Sequence, residues 1–307
     1  MPALNAARST ARRASCQNSM RQVGLAVHHY LNVHAKFPPA KCTYTYRRSG
    51  TTTISTIGHG LIPFLLPFIE QTAAASRYRF DVNWQNAANQ EARNVRISLL
   101  LCPDAEPTRF YRSSASSETV VEYFCSDYAS CEMIWGIRNQ LRRLGVDRGT
   151  RDRNWRSILA SADLGSRNDP IVRSNSAPTA AEVLSGLRIY AVVPQDVTDG
   201  LSYSMMLFEC TGRPNPITRV PRANSPPPAV VGGARWADSD STFWMNNMCN
   251  GTQMFNCDNR QEIFSFHTGG SNFVYGDGAV RFHSESMSPG AFVSRFTAFA
   301  SDFLEPL

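Results

Sequence analysis

The chain predicts an α+β fold, a long N-terminal helix packed on an antiparallel β-sheet with loop-rich insertions. Three observations lead there. From Ala3 to Ala35 only Gly24 weakens a helix, and Met20, Val23, Val27, Tyr30, Leu31 and His34 recur every three or four residues, as one buried face requires. Between Phe264 and Phe282, the β-formers Phe273, Tyr275, Val280 and Phe282 flank Gly276-Asp277-Gly278, the pattern of a hairpin closed by a tight turn. With 42% hydrophobic and 18% charged residues over 307 positions, the chain is globular and long enough for a sizeable core.

The helix has two unlike halves. Before Met20, Ala6, Ala7, Ala11 and Ala14 alternate with Arg8, Arg12 and Arg13, which favours helix but offers little to bury. A helix over this span would run about 50 Å, with its second half docked and its first half projecting. Pro38 and Pro39 stop it. This divides the chain into a spine over residues 1–36 and a head over 37–307.

Within the head, the Tyr/Thr-rich stretch from Ala40 to Ile57 reads as strand or exposed loop. Gly60 to Gln71 is apolar but holds Pro63 and Pro67, so a kinked or short helical packing element is expected. Asn83 to Leu101 suggests a helix leading into a short strand at Ile97–Leu101, which Cys102-Pro103 ends. Residues 130–193 read as an insertion. Seven arginines (Arg138, Arg142, Arg143, Arg148, Arg151, Arg153, Arg156) crowd its first part against Asp147 and Asp152. Residues 212–233, with prolines at 214, 216, 221, 226, 227 and 228, read as an extended loop.

A formal charge of +6 is too diffuse to demand a polyanion, and only Trp135 and Trp155 could stack bases near the arginine cluster. No nucleic-acid partner is expected. No run of 18 apolar residues exists in the chain as given, and Met1-Pro-Ala-Leu-Asn does not open a signal peptide. The eight cysteines are dispersed and lack a Cys-x-x-Cys pair, which argues against a zinc ribbon and for disulfides in an exported protein. Local candidates are Cys125 with Cys131 and Cys249 with Cys257. A long-range bridge such as Cys16 to Cys102 would contribute about 4 kcal/mol on the chain-entropy model. The connectivity stays open.

A resemblance joins these pieces. The run Ala6-Ala-Arg, Ala11-Arg-Arg, Cys16, Asn18, Gln22-Val-Gly-Leu-Ala-Val-His-His-Tyr30 and Phe37-Pro-Pro39 resembles the start of the mature domain in a planctomycete-type, prepilin-like family of unknown function. Further along, Leu65-Leu-Pro-Phe-Ile-Glu-Gln71, Leu101-Cys-Pro-Asp104, Thr198-Asp-Gly200, Ser202 and Glu209 are similar to that family's segments in order. His267 to Phe282 looks like its C-terminal His-x9-Asp-Gly signature. Leu201, Tyr203 and the final residues depart from the pattern. The resemblance implies a pseudopilin or pilus-like structural subunit, not an enzyme, whose partners are other pilin-like subunits or secretion machinery. It implies a place in the cell envelope, on the periplasmic or extracellular face. An apolar helix would precede this chain, which opens where that stretch ends, so a truncated or late start is expected, the alternative being a paralogue without the anchor. The membrane would be reached only through that segment.

The same resemblance marks His267, Gly269, Gly270, Asn272, Asp277, Gly278, Asp199, Gly200 and Glu209 as structural positions. Their expected role is architectural: Asp-Gly pairs make turns, and His267 would donate to a backbone carbonyl or to Asp277. No cofactor is expected. Asp199, Glu209 and Asp277 are the oxygen set that would suit calcium, but no dense Asp-x-Asp-x-Asp loop accompanies them. A hydrolytic triad can be written from Ser265 or Ser271 with His267 and Asp277, yet no nucleophile elbow is present. His28, His29 and His34 read as packing or surface residues. The competing class is an exported binding module that captures a carbohydrate or other ligand on loops carrying Trp236, Phe243, Trp244 and Phe255. Exposure of those rings would favour it.

Overall fold

The computed structural model describes residues 2–47, 54–105, 109, 125–164, 179–181, 192–222, 226, 228 and 230–301. The first element is α1 (Pro2–His34). No residue from 3 to 15 is buried, whereas Cys16, Met20, Val23, Gly24, Ala26, Val27 and Tyr30 are. The two unlike halves expected from sequence are therefore present, but the docked face ends at Tyr30, and His34 is exposed. Gly24 lies where α1 crosses the sheet: a Cβ there would come within 2.8 Å of Val274 Cγ1. The glycine that weakens the helix is what lets it approach. The helix stops at Ala35, which takes a left-handed φ of 57° ahead of the two prolines.

The antiparallel pair β1 (Lys41–Arg47) and β2 (Ile54–Gly60) follows. Pro63 and Pro67 sit at the starts of α2 (Ile62–Leu65) and a 3-10 turn (Leu66–Phe68), where a missing N–H costs nothing. After α3 (Thr72–Arg77) come a 3-10 turn at Ala87–Asn89 and α4 (Gln90–Arg93). The strand expected at Ile97–Leu101 is instead a 3-10 turn, Ser98–Leu100. Ile97 and Leu100 both point inward, and a three-residue spacing suits a 3-10 turn, not the two-residue alternation of a strand.

Beyond it lie β3 (Tyr128–Ala129), β4 (Cys131–Ile134), α5 (Arg138–Arg143), β5 (Ala162–Leu164), β6 (Met205–Glu209), β7 (Phe243–Met245), β8 (Gly270–Tyr275), β9 (Val280–Ser284) and α6 (Pro289–Phe296). The central sheet, ordered β3-β6-β8-β9, is antiparallel throughout. Two smaller sheets carry the parallel pairs β1–β5 and β4–β7. The expected hairpin is β8–β9, with Val274 opposite Val280.

Every residue of β8 is buried because both faces of the sheet are covered. Val274 packs with Met20, Val23 and Val27 of α1. Phe273 and Tyr275 pack on the other side with Phe292 and Phe296 of α6. In the described part of the stretch read as an insertion, residues 130–164, Ile134, Ile137, Leu141 and Trp155 belong to the second core. Two of its arginines lie over its tryptophan rings, the Arg138 guanidinium 4.7 Å from Trp135 and 5.4 Å from Trp155 and that of Arg142 5.9 Å from Trp155. Residues 165–178 and 182–191 lie outside the described residues, as do 223–225, 227 and 229 of the proline-rich loop. Among the described residues no helix is long and apolar enough to cross a membrane.

Candidate functional site

Where α1 first touches the head, four elements meet. Cys16 is the first buried residue of α1, and it forms a disulfide with Cys102, just after the 3-10 turn at Ser98–Leu100, with Cα atoms 5.4 Å apart. A buried carboxylate fixes Cys102: Asp127 Oδ2 accepts its backbone N–H at 2.8 Å, while both Asp127 oxygens accept from Arg109 at 2.6–2.7 Å. Beside the bridge lies the His267 ring, 2% exposed, with Nε2 4.0 Å from Cys102 Sγ.

His267 sits between two carboxylates. Nδ1 lies 2.8 Å from Asp104 Oδ2, within ion-pair range though off the line of a hydrogen bond. Nε2 lies 3.2 Å from Glu209 Oε1. Glu209 ends β6, is fully buried, and is held on every side. Its Oε2 accepts from the Ser271 hydroxyl at 2.9 Å and the Asn272 backbone N–H at 2.7 Å, and Oε1 accepts from Asn272 Nδ2 at 3.1 Å. Asn272 Oδ1 in turn accepts from Gln17 of α1 at 3.0 Å, and Asp104 pairs with Arg12, one turn earlier on the same helix. An imidazole flanked by two carboxylates meets both only by donating from both nitrogens, or by holding a cation on one of them. The site therefore ties helix, sheet and loop together by one covalent bond and a chain of charged contacts.

The nine positions marked in the sequence separate into three places. His267, Glu209, Gly270 and Asn272 converge here, and Gly269 enters it with φ 78°. Gly270 is needed for close packing: a Cβ would meet the His283 carbonyl oxygen at 2.1 Å. Asp277 and Gly278 lie at the other end of β8, so His267 does not pair with Asp277 as expected. Asp277 Oδ1 instead accepts the Ala279 N–H at 2.9 Å, closing a turn in which Gly278 has φ 83°. Asp199 caps the end of the α6 region by accepting from Ala300 at 3.2 Å, and Gly200 beside it has φ 89°. The Asp199, Glu209 and Asp277 carboxylates thus do not come together: among the described residues the one group of potential metal ligands is Cys16, Cys102, Glu209 and His267, with ligand atoms within 4.8 Å of one another.

The cysteine expectations divide as well. Cys249–Cys257 is a bridge, with Cα atoms 5.8 Å apart, and so is Cys16–Cys102. Cys125 and Cys131 are not joined in a disulfide; both are buried thiols, as are Cys42 and Cys210. The chain runs extended from Cys125 through β3 into β4, and six residues of extended chain span about 20 Å, far beyond disulfide reach. Burial pushes the Cys125 thiol up to about 11, so it behaves as a small apolar group. The two hydroxyls considered for a triad are occupied: Ser271 donates to Glu209, and Ser265 Oγ accepts the His267 backbone N–H at 3.2 Å. Asp104 stands in the sequence only as the end of Leu101-Cys-Pro-Asp104, and no spacing points to Asp127. Of the four rings considered for ligand capture, Trp236, Phe243 and Phe255 are buried, and Trp244 is 39% exposed.

No curated protein and no solved structure matches the chain. A family model described as a protein of unknown function matches residues 5–290, from the first turns of α1 into α6, and so takes in every residue of the Cys16–His267 site. The chain belongs to that family, DUF1559.

Proposed function

We propose that this chain is the non-enzymatic head of a pilin-like subunit, one component of a secretion or surface filament in the cell envelope. The observation that carries the reading is the division of α1: residues 3–15 are nowhere buried, and the docked face runs from Cys16 to Tyr30. A helix that buries no side chain over its first turns gains little from tertiary packing there, and short isolated helices are marginal in water. Continuation into a neighbouring subunit or an upstream apolar segment supplies the missing support. The head would then set lateral contacts while the spine sets the assembly axis.

A binding module is the second reading. The pair Trp135 and Trp244, with ring centroids 5.5 Å apart and both partly exposed, favours it. Burial of Trp236, Phe243 and Phe255 counts against it.

The test is expression of the complete reading frame in its host, with an epitope tag and Ala7→Cys on the exposed half of α1. Expected are processing by a prepilin peptidase, surface labelling, and copy-to-copy crosslinks through position 7. An unprocessed cytosolic product without crosslinks overturns the reading.

A further inference from the structure

We propose that the Cys16–Cys102 bridge is one of two states of a single site, and that its reduced form binds a divalent zinc-class cation through Cys16, Cys102, His267 and Glu209. The inference rests on the buried cluster alone and is independent of the pilin-like reading.

One ligand atom from each of these residues lies within 4.8 Å of the other three. Tetrahedral zinc takes sulfur at about 2.3 Å and nitrogen or oxygen at about 2.0–2.2 Å, which puts its ligands roughly 3.3–3.8 Å from one another. The His267 Nε2 to Glu209 Oε1 distance of 3.2 Å and the His267 Nε2 to Cys102 Sγ distance of 4.0 Å bracket that range. Only the two sulfurs need to move, from bonded contact to about 3.7 Å, and the 5.4 Å between their Cα atoms leaves room for side-chain rotation to achieve it.

The surroundings of the ring point the same way. Asp104 stands 2.8 Å from His267 Nδ1, the place where metal-bound histidines meet a carboxylate that fixes the ring and raises its basicity. With the Nδ1 proton on the Asp104 side, Nε2 and Glu209 Oε1 face each other at 3.2 Å as two acceptors, and a cation between them satisfies both. Glu209 is already held by Ser271 and Asn272, so it loses little freedom on binding. A groove lined by Ser15, Ser19, Arg96 and Pro103 reaches Cys102 from solvent and gives reductant and ion a way in.

The chemistry balances. A dithiol passes two electrons and two protons to the disulfide, becomes a disulfide itself, and leaves two thiols. The cation then displaces the two thiol protons as the thiolates bind. A metal tie between helix and head thereby replaces the covalent tie in a reducing compartment; exchange with a small-molecule disulfide, which takes up the two electrons and two solvent protons as it becomes two thiols, releases the ion and restores the bond.

The whole chain, with Cys249→Ser and Cys257→Ser to remove the other bridge, is reduced anaerobically with a phosphine and titrated with cobalt(II) alone. The expected result is one equivalent bound, with thiolate-to-metal charge transfer and the intense visible bands of a tetrahedral site. The oxidised protein should bind none. His267→Gln and Glu209→Gln should each weaken binding by roughly 10–100-fold. Circular dichroism without metal reports whether each variant folds, and if one does not, the comparison of reduced with oxidised parent decides alone. A reduced parent that binds no cobalt overturns the proposal. So does charge transfer that persists in the further variant Cys16→Ser/Cys102→Ser, since other thiols would then be the ligands.

Discussion

At His59, in β2, the imidazole meets only neutral groups: Nε2 donates to the Phe80 carbonyl at 3.0 Å, and Nδ1 accepts from the Tyr78 hydroxyl at 2.8 Å. At His267 both nitrogens face carboxylates instead, Asp104 on one side and Glu209 on the other. The two rings are equally removed from water, so burial does not distinguish them. What distinguishes them is whether the partners want a charge. Burial pushes the His59 pKa down to about 4, and the ring is neutral because one hydroxyl and one carbonyl satisfy the neutral tautomer. The His267 ring stands 2.8 Å from Asp104 and 3.2 Å from Glu209, so its neighbours are carboxylates where those of His59 are a hydroxyl and a carbonyl.

That contrast is broken most severely by removing His267. His267→Ala removes the ring that stands between Glu209 and Asp104, and breaking a buried pair in this way costs about 3–5 kcal/mol. Urea unfolding is expected to show a loss of that size, larger than for His59→Gln, which disturbs two neutral hydrogen bonds at about 1–3 kcal/mol. If the two variants unfold together, the electrostatic account of His267 is wrong.

Acid sharpens the comparison from the other side. His59 binds its proton near 6.5 when unfolded and only near 4 when folded. Stability from this group is complete above pH 6.5 and falls as pH drops toward 4, because the unfolded chain takes up the proton first. The shift corresponds to on the order of 3 kcal/mol. His283, lowered to about 4 by burial and by Arg295 and Arg281, acts in the same direction. Urea midpoints at pH 7 and pH 4 measure the loss, and His59→Gln is expected to retain more of its own pH 7 stability at pH 4 than the parent does. Equal losses would remove His59 as a cause.

The smallest effect belongs to Asp277. Its carboxylate closes a partly exposed turn through one hydrogen bond to Ala279 and lies 3.7 Å from Arg281. Asp277→Ala is expected to cost about 1 kcal/mol or less, read by the same urea titration. A loss as large as that of His267→Ala would show that the two ends of β8 are coupled.

The helix and the β8–β9 hairpin were legible because periodicity and turn chemistry are local. The docked face of α1 follows from residues three and four apart, and the turn from Asp277 and Gly278. The site was only partly legible. His267 and Glu209 stood out by resemblance, but nothing local joins Cys102 to a histidine 165 residues away. Asp127 gives no signal in sequence, because its partners, Arg109, Cys102 and Gly212, come from three separate segments. Spacing misled at Cys125 and Cys131, where an extended backbone keeps close neighbours apart. His59, between Gly58 and Gly60, carries no local signal, since its partners are an aromatic hydroxyl and a carbonyl some twenty residues downstream.

The position of Cys16 has a mechanical consequence. Tension applied at the N-terminal end of α1 passes Arg12 and Arg13, held by contacts with Asp104 and Phe282, and then reaches a sulfur–sulfur bond. Peeling the rod from the globule would have to begin at the strongest fastening, so a pull strips the outer two contacts and stops. The hydrophobic seam from Met20 to Tyr30 is shielded from load that would otherwise unzip it one turn at a time.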